Sequence, residues 1–338
     1  MVTVMSPQVV EAAKGAAGLE SSLWRLEKYE ALGNDFLVIF LEEGPAAGFG
    51  REPGFLAAWA ESLCHRHRGV GADGLLALWV RPGRASTERG HGQGNDPMPS
   101  SSLAPEPVVS MTLWNADGTL AETSGNGLRV SAHAVTRGYS ATKAPFVILT
   151  AAGPRVVRSV APSQGRAGEV LVSVDMGAPV VEAFDDEVRA ALWALVPWPA
   201  VFVDVGNPHV VLLGEGASDL AELDLAELAG QVYQVLGREV NLEVAVPGEG
   251  GRFGEDLDVG SAVVFSIRVH ERGVGETEAC GSGSVAVAKA LDSLGVARGS
   301  VKIVSSGGSL IVDWEDGRAW LTGPSRWVAS LEVPGPLS

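Results

Sequence analysis

The sequence predicts two similar halves of mixed strand and helix that face each other across a cleft, and three observations predict it. A polar elbow with two glycines, followed by an apolar helical run, occurs twice: ETSGNGLRV at 122–130 and TEACGSGSVAVAKAL from Thr277. Overlaid, Glu122 meets Glu278, Gly125 meets Gly281, Gly127 meets Gly283, and Ala132 and Ala134 meet Ala288 and Ala290. A Gly-Asn turn also occurs twice, as GNDF at 33–36 and GNPH at 206–209. Each half then runs in the same order: strand, Gly-Asn turn, several strands, elbow, helix. The elbows differ most in chemistry at one position, where Ser124 stands opposite Cys280.

The elements follow in chain order. Residues 1–25 read as a tail without the basic start and continuous apolar stretch of a signal peptide. LEKYEAL (26–32) and FLVIF (36–40) read as strands about the turn at Gly33-Asn34. Pro53 opens a run with helical apolar spacing that reaches Cys64. Strands at 75–80 and 108–114 flank residues 81–107, whose Pro, Gly and Ser predict an exposed, mobile excursion. Ser124 is suited to cap a helix over 125–136. Strands are expected at about 145–150, 155–160 and 169–175, a helix at 185–195, strands at 200–205 and 209–213, and one helix over 219–236. EVNLEVAV (239–246) is a strand, 247–261 a polar loop, and 262–270 a strand that delivers Glu271 and Arg272. A helix runs from Cys280 to about Leu294, and four short strands close the chain.

Composition narrows the function. A hydrophobic content of 46% supports a sizeable core, and a formal net charge of −16 argues against nucleic acid and anionic membrane surfaces as partners. No run of 18 apolar residues predicts a membrane span. Two cysteines, Cys64 and Cys280, make a disulfide framework a poor expectation and fit a reducing cytoplasm. GVGADG (69–74) matches a dinucleotide fingerprint literally, but a helix end and CHRHR precede it and a strand follows, which is the wrong context. No Cys/His set has metal-ligand spacing, so no metal site is expected.

The elbows carry the chemistry. Unsatisfied N–H groups at a helix start bind anions, and glycines let the backbone come close to a ligand. A cysteine there is expected to gain thiolate character. Two such elbows face to face can grip one carboxylate and set a side chain on each face of the neighbouring carbon. Asn115, in WNADG after a strand, reads equally as a turn residue, and Asn34, Asn207 and Asn241 as turn or strand-end residues. His209, after Pro208 at a strand start, is either a ligand-facing donor or a buried, satisfied imidazole, and Cys64 reads as core. Glu271-Arg272, between a strand and the Cys280 elbow, is a better site candidate than an ordinary surface pair.

GNDFLVI, CHRHRGVGADGLL, WNADGTLAETSGNGLR, VGNPHVVLL, VNLEVA and ERGVGETEACGSG, in that order, resemble the motif series of the diaminopimelate epimerase family from about Leu26 to the C-terminus. The resemblance implies an α+β fold of two pseudo-symmetric domains, each a mixed, mostly antiparallel sheet wrapped around a central helix, with no cofactor and no metal. The expected division is a tail (1–25), a first domain (26–150) rejoined by a strand at about 326–335, and a second domain (151–325). The resemblance also implies inversion of an amino-acid α-carbon between two cysteines. Cys280 matches the second of them, and Ser124 stands where the first belongs. Gly125, Asn126, Gly281 and Ser282 match the residues that bind the reacting carboxylate, and Glu271 the residue near the α-ammonium. Asn115, Asn207, Asn241 and Arg272 match positions that hold the substrate, with Arg272 on the distal carboxylate; Asn34 and His209 match further pocket positions.

A serine hydroxyl is far less acidic than a thiol, and three readings stay open. One is a diaminopimelate epimerase, of the lysine and peptidoglycan precursor route, with slow or directionally uneven turnover. Another is a one-base isomerase or lyase that uses Cys280. The third is a binder that keeps the clamp without the chemistry. The expected partner is a small amino acid, and a homodimer is compatible with the sequence.

Overall fold

The computed structural model describes residues 23–41, 53–81, 108–121, 124–139, 143–248 and 263–334. Nearly all of the expected tail, of the 81–107 excursion and of the 247–261 loop lies outside these residues, as does Glu122.

The first half comprises β1 (Leu23–Ala31), β2 (Asn34–Phe40), α1 (Pro53–Cys64), β3 (Gly74–Arg81), β4 (Val108–Asn115), α2 (Gly125–Gly138), β5 (Phe146–Thr150), β6 (Gly153–Pro162) and β7 (Glu169–Gly177). The second comprises β8 (Val180–Glu182), α3 (Asp186–Leu195), β9 (Ala200–Asp204), β10 (Pro208–Leu213), α4 (Ala217–Glu222), α5 (Leu225–Leu236), β11 (Asn241–Pro247), β12 (Val263–Glu271), β13 (Gly275–Thr277), α6 (Gly281–Ser293), β14 (Val301–Ser305) and β15 (Gly308–Glu315). The last strand, β16 (Arg318–Pro334), belongs to both.

The pairing repeats. In the first half β2–β3 and β4–β5 are parallel and the other neighbours antiparallel. In the second half β10–β11 and β12–β14 are parallel at the matching places. The Gly-Asn turns lie at equivalent corners, β1–β2 and β9–β10, with Gly33 and Gly206 at φ +91° and +98°, a region open chiefly to glycine. β16 pairs with β7 on one side and, through its C-terminal part, with β1 on the other, so the first sheet closes into a barrel. The second sheet curls from β16 to β8 around α6.

Each sheet wraps a helix buried on nearly all sides. α2 is buried from Gly125 to Val135, and α6 from Gly281 to Ala288 and again at Ala290 and Leu291. Small residues, Ala132, Ala134, Ala286, Ala288 and Ala290, let the strands approach these helices from every direction. α1 and the α3–α5 pair cover the outer faces, each over its own apolar cluster.

Several expectations need correction. The first residues of β1, Leu23, Trp24 and Arg25, lie within the expected tail. The expected boundary after residue 150 cuts the β5–β6 hairpin, where Thr150 pairs with Gly153; β6 and β7 then complete the first barrel. The helix expected over 219–236 is two helices. The Asp224 carboxylate accepts the Glu227 N–H at 3.0 Å and caps α5, and Arg268 donates to the Leu220 and Leu223 carbonyls that end α4. The closing segment is three strands, because β16 runs straight through Gly323-Pro324. Pairing with β15 stops at Thr322 and pairing with β1 starts at Arg326, so Pro324 sits where only β7 is a neighbour and its missing N–H costs no ladder bond.

Candidate active site

The two elbows meet. Ser124 is the N-cap of α2, in extended backbone, and its Oγ accepts the Gly127 N–H at 2.9 Å. Cys280 is the N-cap of α6 in matching geometry, and its Sγ accepts the Gly283 N–H at 3.3 Å. The first residues of the two helices touch: a Cβ on Gly281 would lie 2.9 Å from Gly125 Cα, and one on Gly125 would lie 3.1 Å from Gly281 Cα. Leu321 of the shared strand β16 supports both, since its Cδ2 is the other atom a Cβ would meet at either glycine. The N–H groups of Gly125, Asn126, Gly281 and Ser282 are the ones an α-helix cannot satisfy internally. Two helix dipoles therefore point their positive ends at one spot between the halves.

A cavity of about 730 Å³ opens beside this junction. The first half contributes Asn34, Asn115 and Ser124 to its wall, and the second contributes Asn207, Asn241, Glu271 and Arg272. All sit at strand ends or caps, which is where two facing sheets present side chains to the space between them. Asn115 is held by Thr119 Oγ1 at 3.0 Å. Asn241 donates to the Pro208 carbonyl and accepts the Arg272 N–H, each at 3.0 Å, which ties β11 to the end of β12.

Other expected site residues lie one layer back. Cys280 is only 5% exposed and does not line the cavity, whereas Ser124 does. Asn126 is buried, and its side chain donates to Asn34 Oδ1 and to the Ala279 carbonyl across the junction, leaving only its backbone for a ligand. Ser282 lies buried against Cys280 Sγ at 3.4 Å and accepts from Asn207 Nδ2 at the same distance. His209, expected as a pocket position, is instead fully buried beneath it. Its ring bonds Asn207 Oδ1 at 3.1 Å and Glu243 Oε1 at 2.8 Å, because the register of β10 with β11 puts it on the same sheet face as Glu243, the face that lies against α6.

The expected thiolate character of Cys280 is also reversed. Burial, then the charges of Glu271 and Glu243, hold the thiol well above the ordinary range; the Ser282 hydroxyl and the Gly283 N–H oppose this without prevailing. Glu271 is raised as well, chiefly by burial, although Thr277 Oγ1 donates to it at 2.6 Å and the Cys280 thiol is a further hydrogen-bond partner. Glu271 and Cys280 thus form a coupled acid pair in which loss of one proton raises the cost of losing the next.

Glu243, Thr277 and Arg129 escaped sequence reading. Glu243 is an acid inside an apolar strand, VNLEVAV, and that break in pattern was its only signal. Arg129 is a charge inside an apolar helical run whose overlaid counterpart is Val285. Thr277 carries no signal apart from its place before the elbow. Among the described residues no group of three His, Cys, Asp or Glu could hold a metal ion, and no helix is long and apolar enough to cross a membrane.

A duplicated sheet-around-helix fold whose helix starts abut beside a cavity defines a class of two-domain α+β folds. The phenazine biosynthesis protein of the PhzF family from Bacillus anthracis shares it at TM-score 0.62 and 15% identity, over 92% of this chain and 99% of that one. The hydroxyproline epimerase of Agrobacterium vitis, solved with trans-4-hydroxy-L-proline, shares it at TM-score 0.54 and 14% identity, over 92% and 91%. The diaminopimelate epimerase family model matches residues 28–182 and 201–328. The diaminopimelate epimerase of Mycolicibacterium smegmatis is 35% identical over 301 residues, 89% of this chain and 93% of that protein. That of Rhodococcus opacus is 38% identical over 274 residues, 80% and 85%. The chain belongs to the diaminopimelate epimerase family and is an isomerase.

Proposed function

We propose that this chain interconverts LL- and meso-diaminopimelate by moving a proton through one α-carbon, with Cys280 serving one face and Ser124 the other. The observation that carries the reading is the contact of Gly125 with Gly281, which brings together the two helix starts that Ser124 and Cys280 cap and so supports one anion site shared between them. Asn115, Asn207, Asn241 and Arg272 around the cavity supply polar groups for the rest of a long, doubly charged amino acid.

The protons balance as follows. Glu271 takes the Cys280 thiol proton, and the thiolate removes the α-proton from its face. The electron pair moves into the carboxylate, where the N–H groups of both helix starts meet the growing charge. The Ser124 hydroxyl delivers its proton to the opposite face; Glu271 then releases its proton to the cavity and the Ser124 oxygen takes one up from it, which restores both groups. The Gly127 N–H on Ser124 Oγ tempers the charge left on that oxygen, but a serine remains a poor acid and base. Turnover is slow in both directions, since both cross the same barrier. Unevenness appears in exchange: the isomer whose α-hydrogen faces Cys280 loses label faster than the other.

The test is α-proton exchange and inversion by the purified protein from each isomer. Cys280→Ala abolishes both, and Ser124→Cys raises inversion by about 10²-fold or more, the usual worth of a positioned acid–base group. A folded protein that neither inverts nor exchanges either isomer on long incubation ends the proposal, as does a Ser124→Cys variant no faster than its parent.

A further inference from the structure

Arg129 is completely buried, in the part of α2 next to the Ser124 cap. Its guanidinium lies against Gly323 of β16, where a Cβ would stand 3.3 Å from Nε. Nε donates to the Pro324 carbonyl at 3.2 Å, in the stretch of β16 that has lost β15 and not yet gained β1. Nη1 donates to the Gly125 carbonyl at 3.3 Å and Nη2 to Asn126 Oδ1 at 2.8 Å. All three acceptors are neutral, and among the described residues no carboxylate forms an ion pair with this cation. The acid it feels most, Glu30, is already engaged by Arg326 at 3.2 Å. Burial draws the Arg129 pKa down to about 9, which still leaves it charged at neutral pH. An unpaired buried charge is costly, and the matching place in α6 holds Val285, so a helix wrapped by this sheet does not require an arginine there.

We infer that Arg129 is a positioning residue that charges the carboxylate site from beneath, its missing counter-ion being the carboxylate of the bound amino acid. Two branches carry its effect. The Gly125 carbonyl belongs to the same peptide as the Asn126 N–H, so donation to the oxygen strengthens that N–H as a donor. The Asn126 side chain, fixed by Nη2, donates in turn to Asn34 on the cavity wall and to the Ala279 carbonyl, whose peptide carries the Cys280 N–H. One cation thus bears on both helix starts. Its benefit is greatest once the α-proton has left and the carboxylate has gained charge. The inference rests on the reading above, in which those helix starts hold the reacting carboxylate.

Acetate is the probe that separates the two. In ¹⁵N-labelled protein it is expected to move the Asn126 amide signal and, without touching it, the Arg129 Nε–H signal. Arg129→Gln and Arg129→Met should bind acetate about ten-fold more weakly or worse, the scale of a hydrogen bond involving a charge, with the rest of the spectrum native. With LL-diaminopimelate they should lose kcat by a larger factor than KM rises. A purely structural arginine would leave acetate affinity unchanged in folded variants, and that result overturns the inference. So does wild-type protein in which acetate leaves the Asn126 amide in place, or moves it without moving Arg129 Nε–H; this measurement decides alone if neither variant folds. Should acetate behave as expected while neither diaminopimelate isomer exchanges its α-proton, Arg129 keeps its role and the substrate reading falls.

Discussion

Ser124 Oγ and Cys280 Sγ each take the N–H three residues on, at 2.9 and 3.3 Å, so either residue type satisfies the helix start it caps. Capping therefore does not explain which position carries the thiol. Glu271 is the residue through which that chemistry depends on pH. Burial lifts its pKa above the ordinary 4.5, and in the proposed mechanism it acts as a carboxylate. Activity is present above the raised pKa and lost as pH falls through it, so the acid limb of kcat/KM lies above pH 4.5. Glu271→Gln should erase that limb and lower kcat by about 10²-fold. A limb at the ordinary glutamate position, or one that survives in the variant, would remove Glu271 from the proton path. These residues were legible one by one: Cys280, Ser124, Glu271 and the four asparagines were all readable as candidates. What each does was less legible: His209 reads as a ligand donor or as a buried, satisfied imidazole, and only its bond to Glu243 of β11 selects the second, while the Asn126 side chain is taken up by Asn34 of β2.

At the scale of elements, the paired starts of α2 and α6 leave no room for a side chain between them. A Cβ on Gly281 would stand 2.9 Å from Gly125 Cα and 3.1 Å from Leu321 Cδ2, and the first of these is backbone that has nowhere to go. Gly281→Ala should push the helix starts apart, costing roughly 1–3 kcal/mol of stability, as overpacking usually does, and activity along with it. Urea unfolding of the variant measures the first and α-proton exchange the second; unchanged values for both would show that the junction is softer than its geometry. The element order was largely readable from periodicity and from the two elbows. The break at Asp224 and the continuity through Gly323-Pro324 were not. One is finished by Arg268 from β12, and the other is permitted by an absent neighbour strand.

At the scale of the whole molecule, β16 joins the two curved sheets, and the core that results holds acids which resist ionisation. Burial pushes the Cys64 thiol from its ordinary 9.0 up to about 12, and Cys280 moves the same way. Between those pH values the unfolded chain has released a proton that the folded one keeps, so stability falls as pH rises; below pH 9 this contribution is constant. Urea unfolding between pH 8 and about 11 should show the decline, and Cys64→Ala should flatten it by an amount on the order of a few kcal/mol. A slope identical in the variant would mean the Cys64 thiol ionises freely in the fold. The sequence by itself determined the duplication, the two helix starts and the identity of the groups at their caps. These are local matters of glycine, capping and periodicity, written in contiguous residues. Only the tertiary structure decided that the caps abut, that His209 and Asn126 lie behind the cavity and not in it, and that Arg129 sits under the junction with no carboxylate paired to it among the described residues. Those facts arise where strands far apart in the chain pack together, and burial then resets the hydrogen bonds and charges that any single stretch of chain would predict.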